Sequence, residues 1–472
     1  MLGCLFAQAA QHKMPFRLYC LGIIALATVS FGGGTFAQAP VATDFTAWKD
    51  PRNAESVPDW ARRMLDRDFR NVVGTARKER LARTLAALKD IASDNDSVPS
   101  TRYNAILAAG QLVSVAPNPG TGTLPVAYAD ALLYLIEVYQ DPDAPHYLKY
   151  GALLGLVRHT NIGIDPAQQN TVIDLLLDIV TTEFKTGEIT LDTVPLESAA
   201  WDWFRLTALD GLAALKTVGP EGKVVTGLLS VINRQSLELE DLSGSQNAFT
   251  REEWKQSRRS AELGAKAAKT LGDLNYAEAP EIDAKKITDA FVRLTKAVCG
   301  IEHKIVSDFL EPSERGGTVP NPVLLLEQIV INVKMSIQSV VWGIRSSFLT
   351  GRPTEDSFYA SLESDDPAVR RLDILLAEII KLSIFLDEGD GTRRPVLSAN
   401  VPREFQFGLP ELRDTLAKTS ETLTEILREE KEPKTVIPDV IMSPDGAPPV
   451  AEAADSDILP DNQKGANRVR PG

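Results

Sequence analysis

The chain has 472 residues, 44% of them hydrophobic, and 64 acidic against 50 basic side chains give a formal net charge of -14. That length exceeds one ordinary hydrophobic core and predicts two domains plus extensions. The charge disfavours sequence-independent binding to nucleic acid or anionic lipid, which needs a basic face, and leaves room for a local basic patch.

Residues 1–39 read as a secretory signal, with Met14 as an alternative start. Arg17 supplies a positive n-region, Leu18 to Phe31 an apolar h-region, and Ala37-Gln38-Ala39 an A-x-A cleavage site. The apolar run is short for a bilayer span; an uncleaved membrane anchor is the competing reading. Export to the periplasm, cell envelope or extracellular space is therefore expected, with no stable membrane span in the mature chain. Of the three cysteines, Cys4 and Cys20 lie in that segment, so Cys299 alone would remain and no internal disulfide could form. Cys299 sits on a helical pattern and reads as a small buried hydrophobe.

Residues 40–76 form an N-terminal cap segment. Pro58-Asp59-Trp60 opens a short helix, and Trp48 and Trp60 are expected to cover the end of the helical array beneath them.

From Arg77 to Arg158 one unit is written twice at an offset of 47 residues. Leu85, Leu88 and Ile91 fall on Leu132, Leu135 and Val138; Asp94 and Asp96 fall on Asp141 and Asp143. Arg102-Tyr103 falls on Lys149-Tyr150, and Ala105-Ile106-Leu107 on Ala152-Leu153-Leu154. Each copy reads helix, acidic loop, helix, with apolar residues at helical spacing and Ser/Asp/Asn/Pro in the loop. A third unit pairs Gln168–Val180 with Trp201–Leu215. A fourth pairs Pro220–Asn233 with Glu262–Leu274, across an insertion rich in Glu and Ser. The corresponding alanines are Ala105, Ala152, Ala208 and Ala267, so the spacing stretches from 47 to 56 to 59.

On these residues the stretch 77–275 resembles the HEAT and armadillo-like helical repeats, whose units are about 40–47 residues long, and 77–276 is expected to form that repeat domain. The resemblance implies a curved stack with a concave binding surface. It carries no catalytic residues to transfer.

An acidic, Pro-containing break at 277–284 predicts a domain boundary, and beyond it the apolar period changes. Ile287, Phe291, Leu294, Val298, Ile301 and Ile305 step by 4 and 3, as do Leu326, Val330, Val333, Ile337, Val340 and Ile344. Leu372 to Leu386 and Leu412 to Leu427 give two further helices. Residues 285–430 therefore predict an antiparallel long-helix bundle. The apolar stretch 324–349 contains Glu327, Asn332, Lys334 and Gln338, which fits a central bundle helix better than a membrane span. Residues 431–472 are Pro-rich and acidic without helical period, and predict a disordered tail. The fold class is thus all-α: a HEAT-like array of helix pairs, a bundle and a loose tail.

Two constellations could bear function. Asp94, Asp96, Asp141 and Asp143 sit in corresponding loops, with His146 nearby, and oxygen-rich loops suit a hard cation such as calcium. The competing reading has these acids capping the following helices and pairing with Arg102 and Lys149. Trp201, Trp203 and Phe204 form the densest aromatic patch, able to anchor a partner or to fill the inter-repeat core. Histidines 146, 159 and 303 are scattered, and no HExxH, Gly-x-Ser-x-Gly or phosphate-loop motif is present. No cofactor is implied.

The expected function is a non-catalytic scaffold or adaptor that binds a protein partner through the repeat surface. The rivals are an enzyme of unrecognised type, using acids on the repeat face, and a cation-dependent adhesion module.

Overall fold

Leu81, Leu85, Leu88 and Ile91 line one face of the helix Gly74–Ser93 and are buried, and Ala105, Ile106, Ala108 and Ala109 do the same for Pro99–Ala109. The two helices pack on each other because their apolar faces meet across the short turn between them. This pairing recurs along the chain in a computed structural model that describes residues 45–69, 72–117, 120–183, 190–191, 194–195, 198–277, 282–314, 322–347, 351–388 and 402–428. The signal segment and the C-terminal tail expected from the sequence lie outside the described residues.

In chain order the helices are α1 (Thr46–Lys49), α2 (Val57–Asp68), α3 (Gly74–Ser93), α4 (Pro99–Ala109), α5 (Ala129–Gln140), α6 (His146–Ile162) and α7 (Pro166–Thr181). Then come α8 (Ser198–Leu215), α9 (Lys223–Gly244), α10 (Arg251–Gly272), α11 (Ala284–Glu314), α12 (Pro322–Arg345), α13 (Pro367–Glu388) and α14 (Pro402–Arg428). The protein is all-α. Among the described residues the only sheets are two short antiparallel pairs: β1 (Val113–Val115) with β2 (Val126–Ala127), and β3 (Thr190–Leu191) with β4 (Val194–Pro195).

The pairs α3/α4, α5/α6, α7/α8 and α9/α10 stack in order. Second helices form a continuous row, α4 on α6, α6 on α8, α8 on α10 and α10 on α12. First helices α7, α9 and α11 also pack in sequence. Helix α14 lies along α11, and Arg371 of α13 holds that end together by bonding both Asp289 of α11 and the carbonyl of Ile426. The apolar positions expected on α11, α12 and α13 are buried throughout. One hydrophobic cluster runs from Trp48 to Ile426. The residues either side of the Pro-containing break thus share a core, because α11 and α12 cover the apolar flanks that α9 and α10 would otherwise expose to water. No helix among the described residues is long and apolar enough to cross a membrane.

One expected insertion is helical. Residues 234–244 continue α9, because Gln235, Ser236 and Leu239 are buried in register with Leu228, Val231 and Ile232. Polar composition there reflects a helix flanked on both sides, where Ser236 returns its hydroxyl to the Ile232 carbonyl at 2.7 Å. At the far end, Trp48 is buried and Trp60 packs partly buried against the core, where they cover the first pair.

Ion pairs tie equivalent positions of successive units. Lys89 reaches Glu137, Asp174 meets Lys223, Asp210 meets Lys266, and Glu240 accepts from Lys296 at 2.9 Å. Their sequence separations are 48, 49, 56 and 56 residues, each close to one repeat. Exposed pairs of this kind each add roughly 0.2–1 kcal/mol. Their greater effect is to penalise a slipped register, which would leave both members without a partner.

Candidate functional site

The acidic loops form the same local turn twice. Asp94 Oδ1 accepts from the backbone N–H of Asp96 at 3.1 Å, and Asp141 Oδ1 from that of Asp143 at 2.9 Å. Asp94 also takes Ser97 Oγ at 3.1 Å and faces Lys49 at 3.2 Å. The Lys49 hydrogen bond, with that backbone N–H, holds its carboxyl below the ordinary range. These oxygens are therefore engaged in shaping the turns. Among the described residues no three His, Cys, Asp or Glu side chains converge where they could hold a metal ion. The repeated base divides: Lys149 feels the charges of Asp141 and Asp143, as expected, whereas Arg102 Nε donates to the carbonyl of Ala92 at 2.8 Å, near the end of α3. A helix C-terminus carries unsatisfied carbonyls and partial negative charge, so it attracts a guanidinium as an acid would.

The aromatic patch divides. Trp201 and Phe204 are buried and stacked, with ring centroids 5.6 Å apart, and Tyr150 of α6 tilts against Phe204 at 5.1 Å. Trp203, between them in sequence, remains 53% exposed on the outer side of α8. A helix turns 100° per residue, so consecutive aromatics cannot share one face.

Asp202 and Arg205, on the same helix, open onto a cluster of charge between α8, α9 and α10. Arg205 Nη1 lies 3.6 Å from Asp202 Oδ1, and Arg259 Nε of α10 approaches Asp202 Oδ2 at 3.4 Å. Glu262 stands close enough to Asp202 for the two charges to repel. From α9, Glu238 accepts from Gln256 Nε2 at 2.5 Å, and Arg234 Nη1 donates to the carbonyl of Thr181 at 2.8 Å. Burial pushes the Asp202 carboxyl above its ordinary range, against the pull of Arg205 and Arg259. Burial, reinforced by Arg234, lowers Arg205 to about 10. Chemically, this is a semi-buried site with three guanidinium groups and interleaved carboxylates.

A second polar node is closed to water. Glu302 of α11 is 2% exposed and takes Arg258 Nη1 at 2.6 Å and Asn332 Nδ2 at 3.4 Å, which joins α10, α11 and α12. Burial raises its carboxyl, opposed by Arg258. Arg258 also lies over the Trp254 ring, 5.4 Å from its centroid. Burial raises the neighbouring Cys299 thiol to about 12, which leaves it protonated and unreactive. His159 is 0% exposed, with neither ring nitrogen hydrogen-bonded, and burial, with Arg158 beside it, lowers it to about 4.

The sequence pattern marks Trp201, Trp203 and Phe204 but not Asp202, Arg234, Arg259 or Glu302. Asp202 and Arg205 were legible as an i, i+3 pair on one helix. Arg234 and Arg259 were not, because they arrive from the next repeat. Compared with known proteins, the chain matches no protein-family model, no curated protein and no solved structure.

Proposed function

We propose that the chain is a HEAT-like repeat scaffold that binds a protein partner on the exposed side of the row of second helices, with Trp203 as an anchor. The observation carrying this reading is the separation of Trp203 from its neighbours. Trp201 and Phe204 lock α8 into the core while Trp203 stands exposed on the same helix, which also carries Asp202 and Arg205. Indole anchors on rigid supports, rimmed by polar groups, dominate many protein interfaces. The Leu18–Phe31 segment and Ala37-Gln38-Ala39 support placing this scaffold outside the cytoplasm.

The test is a crosslinking pull-down from an envelope fraction with the full chain and with Trp203→Ala as baits. A stoichiometric partner retained by the first and lost by the second supports the reading. An unmodified chain that retains nothing, or a partner held equally by both baits, removes Trp203 and this face from it.

A further inference from the structure

We propose that Arg205 and Arg234 together form a carboxylate-binding site at the C-terminal end of α7. Both guanidinium groups converge on one acceptor, the carbonyl of Val180. Arg205 Nε reaches it at 3.1 Å and Arg234 Nη2 at 3.3 Å. Arg234 Nη1 takes the next carbonyl, that of Thr181. Two N–H-bearing nitrogens of this pair are buried with no acceptor among the described residues: Nη2 of Arg205 and Nε of Arg234. The Arg205 side chain is only 8% exposed, so water reaches it poorly.

The comparison with the first repeat shows that the second arginine exceeds what the helix end requires. Arg102 and Arg205 are equivalent, each three residues before the corresponding alanine, Ala105 or Ala208, and each donates its Nε to the penultimate residue of the preceding helix, Ala92 or Val180. At α3 no second guanidinium joins Arg102 on that carbonyl among the described residues. At α7 Arg234 arrives from the next repeat and brings a like charge against Arg205, whose lowered proton affinity reflects burial and that repulsion. The nearby acids relieve it only in part: Asp202 and Glu238 pull the other way, and burial with Arg234 outweighs them. Asp202 faces Nη1 of Arg205 and Glu183 faces Nη1 of Arg234, each at a long 3.6 Å. The unpaired donors are elsewhere, one on each guanidinium. A carboxylate offers two coplanar acceptor oxygens and one negative charge, which suits one donor from each arginine. That group could come from a free organic acid or from an acidic side chain of a bound protein.

The test follows the Nε–Hε resonances of Arg205 and Arg234 in the full chain labelled with ¹⁵N-arginine. Sodium acetate is titrated at constant ionic strength against sodium chloride, and a blocked tri-glutamate peptide in parallel. Saturable shifts at both residues, weakened about tenfold in Arg234→Lys, are expected, since lysine keeps the charge and loses the fork. Asp202→Asn, which removes a competing carboxylate and leaves both arginines, is expected to bind acetate severalfold more tightly. It serves as the check if lysine at 234 disturbs α7. Tighter binding of tri-glutamate assigns the site to a protein carboxylate, and acetate equal to or tighter than the peptide assigns it to a small acid. Shifts that do not saturate, or that persist unchanged in Arg234→Lys, overturn the proposal.

Discussion

Gly272 of α10 and Gly343 of α12 meet backbone to backbone. A Cβ on Gly272 would stand 2.0 Å from the carbonyl oxygen of Trp342, and one on Gly343 would stand 2.5 Å from that of Ala268. Trp342 Nε1 donates to Asp273 at 2.7 Å beside this contact, and Lys269 lies over its ring. The same device appears earlier in the row, where a Cβ on Gly110 would lie 2.5 Å from the Cα of Gly155. Glycine therefore sets how closely second helices approach, at the start of the row and at its end.

Gly272→Ala and Gly343→Ala are each expected to cost more than about 2 kcal/mol, because backbone atoms cannot swing away as a flexible side chain can. Gly244→Ala is the control: it has open space within 4 Å and should change stability by no more than about 1 kcal/mol. Urea unfolding of the three variants checks this, and equal midpoints would refute the close-approach argument.

His159 occupies a slot that the repeat otherwise fills with leucine, at Leu112, Leu215 and Leu274. Its pKa falls from 6.5 unfolded to about 4 folded, so between those values the unfolded chain binds the extra proton. Stability is then complete above pH 6.5, declines as pH falls toward 4, and changes no further from this group below that. The loss amounts to roughly 3 kcal/mol. His159→Leu should flatten that decline and raise stability at pH 7 by about 1–3 kcal/mol, since an unpaired buried polar group is removed. Melting temperatures at pH 7 and pH 4.5 for both proteins decide it; parallel pH slopes would sink the assignment.

Glu302 joins three helices through a nearly enclosed ion pair. Glu302→Ala should cost about 3–5 kcal/mol, because Arg258 would keep its charge without its partner. The double variant Glu302→Leu with Arg258→Met should recover most of that loss. A double variant no more stable than Glu302→Ala would show that the packing there cannot accept apolar replacements.

Trp201→Ala and Phe204→Ala should each destabilise by about 3–5 kcal/mol, as buried aromatics do. Trp203→Ala should stay within about 0.5 kcal/mol. Thermal unfolding separates them, and a large loss at Trp203 would mean that its role is structural.

Calcium should leave the melting temperature unmoved. Asp94 and Asp141 each spend an oxygen on a backbone N–H two residues on. Asp141→Ala should instead cost about 1 kcal/mol, as the loss of a turn-stabilising carboxylate does. A calcium-dependent rise in melting temperature would restore the cation reading, since a ligand of the native state must stabilise it.

Local pattern was sufficient for much of this architecture. The period of Leu81, Leu85, Leu88 and Ile91, and the alternation along α11 and α12, fix helical faces because side-chain direction on a helix depends only on spacing. The offset of 47 residues likewise announced a repeated pair. Composition misled at residues 234–244, where Gln235 and Ser236 look like loop residues but are buried between neighbouring helices. What only the tertiary structure decided were relations between residues of different repeats. These are the glycine contacts of Gly272 and Gly343, the convergence of Arg205 and Arg234 on Val180, and the enclosure of Glu302. The physical reason is range: helix periodicity acts over a few residues, whereas these contacts join positions 25 to 75 apart in sequence, and the spacing between repeats stretches along the chain. Only the packed stack brings such distant side chains within hydrogen-bond reach.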